Sequence, residues 1–250
     1  MKALITGASS GIGREMAYYL ASLNYDLILV ARREDRLKEI KEKVKTNVKI
    51  IPLDLEKEEN VFKLYNLTKK ENIDMLINNA GFGLFGFTDK TDLKREIEMI
   101  NLNVKALHIL TKLFLVDFVK RDSGYILNVG SSAGFLAGPK LNTYYSTKNY
   151  VVKFTMAIYE ELRHQSSNVH VSVLCPGPVN TEFNKVAGGH FNVESEQAKK
   201  VAKLAVDKTL KKKLIIVPGI GVKLALFLNR FLPYKLSMKF VYMVQDRKTK

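Results

Sequence analysis

Two adjacent tyrosines, Tyr144 and Tyr145, stand just before Lys148 in the stretch "NTYYSTKNY", residues 142–150. On a helix, Tyr144 and Lys148 lie at i,i+4 and Tyr145 and Lys148 at i,i+3, so either phenol can share a face with the ammonium. A phenol titrates at about 10 in water and is a poor acid–base group at neutral pH unless a nearby cation favours the phenolate. The chemistry open to such a pair is proton transfer. Spacing alone does not choose between the two tyrosines. Tyrosine and lysine one turn apart are also, as a rule, only half-exposed neighbours, so the pair takes its meaning from what surrounds it.

A second candidate is "TGASSGIG", Thr6 to Gly13, which follows an apolar run and opens an amphipathic one. Gly7 permits a tight turn, Gly11 lets backbone approach a pyrophosphate, and Gly13 allows a helix to lie close to a sheet. The N–H groups of the helix that begins there suit phosphate. This loop points to dinucleotide binding. At the end of the second apolar run, "VARR" places Arg32 and Arg33 after Ala31. Dinucleotide folds that use NAD commonly carry an acid at this point, whereas a guanidinium can fork onto a 2′-phosphate. Cations at a helix N-terminus oppose its dipole, which argues against a purely structural arginine pair. NADP is therefore expected in preference to NAD.

These groups need a frame. Short runs rich in β-branched residues predict strands at 2–6, 26–31, 48–53, 73–78, 124–129, 169–174 and 214–217. Between them, helices are predicted at 11–23, 34–45, 57–71, 92–120, 143–166 and 194–212. Such alternation implies parallel strands joined by right-handed crossovers, with helices on both faces. The reading is α/β, a single doubly wound domain with a mostly seven-stranded parallel sheet. Residues 1–218 form its body, and 219–250 a basic amphipathic extension packed on or near it. Ligands of such sheets sit beyond the carboxyl ends of the strands, where every candidate so far lies.

The motifs in order carry a resemblance. "TGASSGIG" at 6–13, "NNAG" at 78–81, "NV" at 103–104, "NVGSSAG" at 128–134, "YYSTK" at 144–148 and "PGPVNT" at 176–181 make the chain similar to the classical short-chain dehydrogenase/reductase family over nearly its full length. The resemblance implies a Rossmann-type fold, a nicotinamide cofactor and oxidoreductase activity between carbonyl and alcohol. Its Tyr-x-x-x-Lys pattern selects Tyr144 as general acid and base. The catalytic serine, 13 positions earlier, is then Ser131 rather than Ser132. Lys148 is expected to draw the Tyr144 phenol downward and to hold the nicotinamide ribose, Ser131 to hold the carbonyl oxygen, and Asn103 to position a water behind Lys148.

Further cofactor contacts follow by the same resemblance. Ser9, Ser10 and Ile12 belong to the glycine loop. Asp54 and Leu55 fall near the adenine, and Asn79, Ala80 and Gly81 beside the central strand. Pro176, Gly177, Val179 and Thr181 fall against the nicotinamide carboxamide. Asn78 is assigned to strand stability, and Tyr145 and Tyr150 to packing or a pocket wall. Three residues depart from the family pattern: Ala106 stands where many relatives have glycine, Gly130 where many have serine, and Ser10 where many NADP enzymes carry a base. NADP preference thus rests on Arg32 and Arg33. The alternative to a reductase is a catalytically silent NADP sensor, whose mark would be loss of the serine, tyrosine or lysine; all three are present. A homodimer or homotetramer through 103–120 and 143–166 is implied.

The remaining features are weaker. The four histidines have no ligand spacing, so no metal site is expected. The one cysteine, Cys175, reads as a small buried hydrophobe near a strand end in a reducing compartment. From "MKALIT" the chain runs straight into the glycine loop, leaving no room for a signal peptide. No apolar run approaches the roughly 20 residues of a membrane span, so a cytoplasmic location is expected. Residues 184–195 suit either a lid over the substrate or an ordinary loop.

Charge is uneven. Residues 199–250 carry 14 Lys and Arg against Asp207 and Asp246, a net +12 of the whole chain's +15. The stretch from Gly219 onward mixes these lysines with apolar residues. It is expected first to cover the substrate pocket or a subunit contact, with an anionic membrane surface as the alternative. No aromatic–basic groove supports nucleic acid.

Overall fold

A computed structural model of the chain describes residues 1–183, 187–188 and 196–246; the proposed lid at 184–195 lies almost wholly outside them. Seven strands form one sheet, in which every neighbouring pair is parallel. They are β1 (Lys2–Thr6), β2 (Asp26–Ala31), β3 (Val48–Pro52), β4 (Met75–Asn78), β5 (Tyr125–Val129), β6 (His170–Leu174) and an edge strand, Ile215–Ile216. Their spatial order is β3-β2-β1-β4-β5-β6 followed by the edge strand. The order reverses between β1 and β4, which opens the crevice expected of a doubly wound sheet.

The strands read as continuous apolar runs because helices cover both faces. On β1, Ile5 faces a layer with Met16 and Leu20 of α1 (Gly11–Ser22), Leu37 of α2 (Glu34–Lys43) and Val201 of the helix Ala198–Leu210. Its neighbour Leu4 faces the opposite layer, with Leu64 of α3 (Glu58–Thr68), Phe114 of α5 (Leu107–Lys120) and Ile158 of α6 (Asn142–His164). This two-residue alternation between two cores fixes the register, since a one-residue slip would exchange the layers.

Polar residues also bind the layers together. The Asn78 amide donates to Thr111 Oγ1 at 3.0 Å and to Asn128 Oδ1 at 2.9 Å. Asn128 in turn donates to Thr155 Oγ1 at 3.0 Å. Asn78 is buried and belongs to strand stability as expected.

The helix predicted at 92–120 is interrupted. It consists of α4 (Leu93–Ile100), one π-helical turn (Asn101–Ala106) and α5. Such single turns cluster at functional sites, and this one contains Asn103. A short pairing of Val179–Asn180 with Glu196–Gln197 had no apolar pattern to announce it. Beyond Gly219 the tail forms two helices, Ile220–Asn229 and Tyr234–Asp246, with Pro233 between them.

Candidate active site

The loops after β1, β2, β3 and β4 meet in one cleft of about 450 Å³ with the segments after β5 and β6. Its floor is set by the glycine loop. Gly7 adopts φ +64°, in the left-handed region that glycine enters freely. Asn79 locks the loop, its amide donating to the carbonyls of Thr6 at 3.0 Å and Gly7 at 3.1 Å. Thr6 Oγ1 accepts from the backbone N–H groups of both Asn79 and Ala80 at 3.0 Å. A Cβ on Gly13 would lie 2.3 Å from the Asn79 amide nitrogen and 2.6 Å from the Gly7 carbonyl oxygen, so nothing larger than glycine fits there. Ser10 precedes α1 in extended conformation and makes no side-chain cap. The N–H groups of the first turn therefore keep their capacity for an anion.

Beside this loop, Arg33 donates to Ser9 Oγ at 3.3 Å and to Glu182 at 2.9 Å. Glu182 also holds Arg36 and lies below the usual carboxylate range because of these two guanidinium groups. Arg32 turns outward to Glu56 at 2.9 Å. The residues fit a nicotinamide dinucleotide: an uncapped helix start and a glycine floor for its phosphates, with the Arg33 guanidinium beside Ser9.

The other end of the cleft holds the acid–base candidates. Ser131 and Tyr144 both line it, and the Ser131 hydroxyl donates to the Pro176 carbonyl at 3.4 Å. Ser131 begins a short 3₁₀ turn, Ser132–Phe135, and its Oγ accepts from Ala133 N–H at 3.1 Å. Asn149 ties that turn to α6, donating to the Ala133 and Leu136 carbonyls at 3.1 and 2.9 Å. Lys148 is buried, and its ammonium donates to the Val129 carbonyl at 2.8 Å.

Burial governs the titration of both groups. It drives the Tyr144 phenol well above its ordinary value, with the neighbouring Ser131 side chain pulling the other way. It lowers the Lys148 ammonium to about 8. The expectation that Lys148 draws the phenol downward is thus corrected. Desolvation outweighs every other influence on Tyr144, so the net shift is upward even with the Lys148 ammonium 5.8 Å from its ring centroid. Cys175 is fully buried, as expected, and its thiol is pushed up to about 12 for the same reason.

Nearly all the predicted site residues line this cleft. Gly7, Ser9, Ser10, Gly11 and Ile12 come from the first loop, Arg32 and Arg33 from the second, and Asp54 and Leu55 from the third. Asn79, Ala80 and Gly81 follow β4, Ser131 follows β5, and Tyr144 and Lys148 stand on α6. Pro176, Gly177, Val179 and Thr181 follow β6. Two residues lie behind the wall instead. Gly13 is buried under the loop, and Asn103 is fully buried in the π turn. The Asn103 side chain clamps the backbone of Phe82, accepting from its N–H at 3.0 Å and donating to its carbonyl at 2.8 Å. It also donates to Thr147 Oγ1 at 3.2 Å, so the side chain positions the cleft wall from behind.

Sequence reasoning did not single out Phe82, Leu141, Phe183, Glu182 or Gln245, all of which reach the cleft. Glu182 meets Arg33 across 149 residues and Gln245 meets Tyr145 across 100, and no local pattern announces such pairs. Of the two wall candidates, Tyr145 lines the cleft, whereas Tyr150 stacks on Phe154 and bonds His108 at the surface.

Comparison with known proteins places this geometry in context. Residues 1–190 match the family model for short chain dehydrogenase. A very-long-chain 3-oxoacyl-CoA reductase of Homo sapiens is 34% identical over 192 residues, covering 74% of this chain and 61% of the human protein. The matched stretch thus spans less than two thirds of that relative. An NADP-dependent 3-hydroxy acid dehydrogenase of Schizosaccharomyces pombe is 35% identical over 210 residues, covering 80% of this chain and 78% of its own. A solved short-chain dehydrogenase from Sphingobium yanoikuyae in complex with NADPH superposes with a TM-score of 0.84 at 27% identity, covering 91% of each chain.

Proposed function

The chain belongs to the short-chain dehydrogenase family, and from that premise we propose that it is an NADP-dependent oxidoreductase acting between a carbonyl and a secondary alcohol of a small, lipophilic substrate. The observation that carries the reading is the convergence of Ser131, Tyr144 and buried Lys148 at one end of a cleft whose other end is the glycine loop. When bound, the cofactor supplies or takes a hydride at its nicotinamide. The loop holds its phosphates, Arg33 and Ser9 meet the 2′-phosphate, and Asp54 and Leu55 border the adenine.

In the reducing direction, Ser131 donates a hydrogen bond to the substrate carbonyl oxygen, a bond that strengthens as negative charge develops there. Tyr144 then gives its proton to that oxygen. Burial suits this task, because a phenol with a raised pKa keeps its proton until a strong base, the alkoxide, forms beside it. The resulting phenolate is held by Ser131 and by the nearby ammonium of Lys148. The alcohol-oxidising direction runs the same proton in reverse. Asn103 is a positioning residue that sets the Phe82 segment of the wall. Phe82, Leu141 and Phe183 give the substrate end an apolar lining, which supports the lipophilic assignment.

Residues 1–218 form the catalytic body in this reading, and 219–250 an extension held on it. The Gln245 amide donates to Tyr145 Oη at 2.5 Å, and Lys140 pairs with Asp246 at 2.5 Å. A homodimer or homotetramer through α5 and α6 is supported by Val116, Val119 and Tyr150, which leave large apolar side chains exposed there. A cytoplasmic setting is supported by the single, buried, unpaired cysteine. The test is nicotinamide absorbance with NADPH, and separately NADH, over aliphatic, aromatic and keto-ester carbonyls. Turnover preferring NADPH supports the reading; tight NADPH binding with no turnover across a broad panel favours a sensor.

A further inference from the structure

The last helix has its polarity reversed. Along Tyr234–Asp246, Ser237 and Gln245 are buried and Val241 lies half-buried between them, at i, i+4 and i+8 on one stripe. Leu236, Met238, Phe240, Tyr242, Met243 and Val244 are all exposed. A helix that faces water does the opposite, burying its apolar stripe and solvating its polar one. The preceding helix, Ile220–Asn229, has no buried residue at all. Ile220, Leu224, Phe227 and Leu228 stand at i, i+4, i+7 and i+8, and Phe231 continues that row at 70% exposure. Ser237 Oγ donates to Asn229 Oδ1 at 2.6 Å and joins the two helices. An apolar area of this extent marks an interaction surface.

Its charge identifies the partner. Between Asp207 and Asp246 the sequence holds eight lysines and arginines and no acid. Lys223, Arg230, Lys235 and Lys239 are exposed among the apolar side chains of the two helices. A second copy laid on this surface about a two-fold axis would set like charges against each other. An anionic lipid surface accepts both features, taking apolar side chains into the headgroup boundary and cations onto phosphate. No described helix is long and apolar enough to cross a membrane, so the contact is peripheral.

The geometry points to docking of the helix pair 220–246 on an anionic membrane surface, with the substrate end of the cleft opening beside it. Gln245 lines the cleft, and Val222 packs against Gly177, another lining residue. A lipid-dissolved carbonyl or alcohol would then enter from the bilayer. That last clause rests on the reductase reading; the docking does not.

The test is co-sedimentation of the full chain with vesicles of phosphatidylcholine alone and of phosphatidylcholine with phosphatidylglycerol. Binding is expected only to the anionic vesicles, weakening as salt rises and falling roughly fivefold for each lysine removed in Lys235→Gln and Lys239→Gln. The double variant Leu224→Ser with Phe227→Ser should lose vesicle binding while its melting curve and NADPH binding stay those of the parent. No binding to anionic vesicles at low salt overturns the proposal, and so does equal binding to phosphatidylcholine alone. An oligomer that the Leu224/Phe227 variant breaks into monomers, with no vesicle binding by the parent, assigns the face to a second copy instead. Vesicle binding without turnover removes the reductase reading and leaves the docking, whereas turnover without vesicle binding does the reverse.

Discussion

The Lys148 ammonium stands 5.8 Å from the centroid of the Tyr144 ring while donating at 2.8 Å to the Val129 carbonyl. The carbonyl fixes the cation in place, so it need not move when charge appears on the phenol. A charge formed on the ring at that distance gains on the order of 3 kcal/mol at an effective dielectric constant of about 20. Burial keeps the proton on Tyr144 in the resting protein, and in the proposed reaction the Val129 carbonyl keeps the cation near the ring as that proton leaves.

Replacing Tyr144 by Phe should remove the proton donor with little change in shape. Turnover is expected to fall roughly 10²–10⁴-fold, with NADPH affinity within a few-fold of the parent. Tyr145→Phe loses a hydrogen bond from Gln245 and should keep most of the turnover. Steady-state rates of the two variants side by side decide the matter, and comparable losses in both would show that the i,i+3 tyrosine had been wrongly set aside.

Lys148 makes the stability depend on alkaline pH. Its folded value of about 8 lies below the ordinary 10.5, so between these values the unfolded chain binds more protons than the folded one. Stability therefore rises with pH across that window, and the penalty of burying the cation is present in full below it. The whole contribution is about 3 kcal/mol. In Lys148→Met it vanishes, so the parent's melting temperature minus the variant's should climb by roughly 5 °C between neutral pH and the upper end of the window. A difference that is flat with pH would mean that Lys148 titrates normally.

Arg33 reaches Ser9 from the rim of the cleft while sharing Glu182 with Arg36. If Arg33 holds the 2′-phosphate as proposed, Arg33→Ala removes a charge-assisted hydrogen bond from it, so the KM for NADPH should rise roughly 10- to 100-fold while that for NADH changes little. Arg32 pairs outward with Glu56, and Arg32→Ala should have the smaller effect. Equal losses for both cofactors would assign Arg33 to the architecture of the loop.

How much of this was legible follows the physics of locality. The seven strands are apolar-rich runs between turn signals, and each was readable because the few polar residues within them, such as Lys49, Asn78 and Asn128, do not break the run. The glycine loop and the Tyr144–Lys148 spacing are equally local. What escaped reading were pairings across the chain, such as Glu182 with Arg33 and Gln245 with Tyr145, and the π turn at Asn103, whose side chain bonds the distant backbone of Phe82. The direction of the Tyr144 shift escaped for a related reason. A sequence shows which charge is near, but the degree of desolvation depends on every element that closes over the group.

Gly13 offers a test of the loop that touches no ligand. It is buried beneath the cleft floor, and a methyl group there would meet the Asn79 amide and the Gly7 carbonyl, the very atoms joined by one of the Asn79 hydrogen bonds. The backbone oxygen cannot swing away, so Asn79 must leave and release both loop carbonyls. Overpacking costs about 1–3 kcal/mol and each lost hydrogen bond about 1 kcal/mol. Gly13→Ala should therefore melt several degrees lower and bind NADPH roughly tenfold or more weakly by fluorescence titration. Ser10→Ala, which removes a hydroxyl that caps nothing, should melt like the parent. If Gly13→Ala keeps the parent's affinity, then the lock between Asn79 and the loop does not shape the phosphate site.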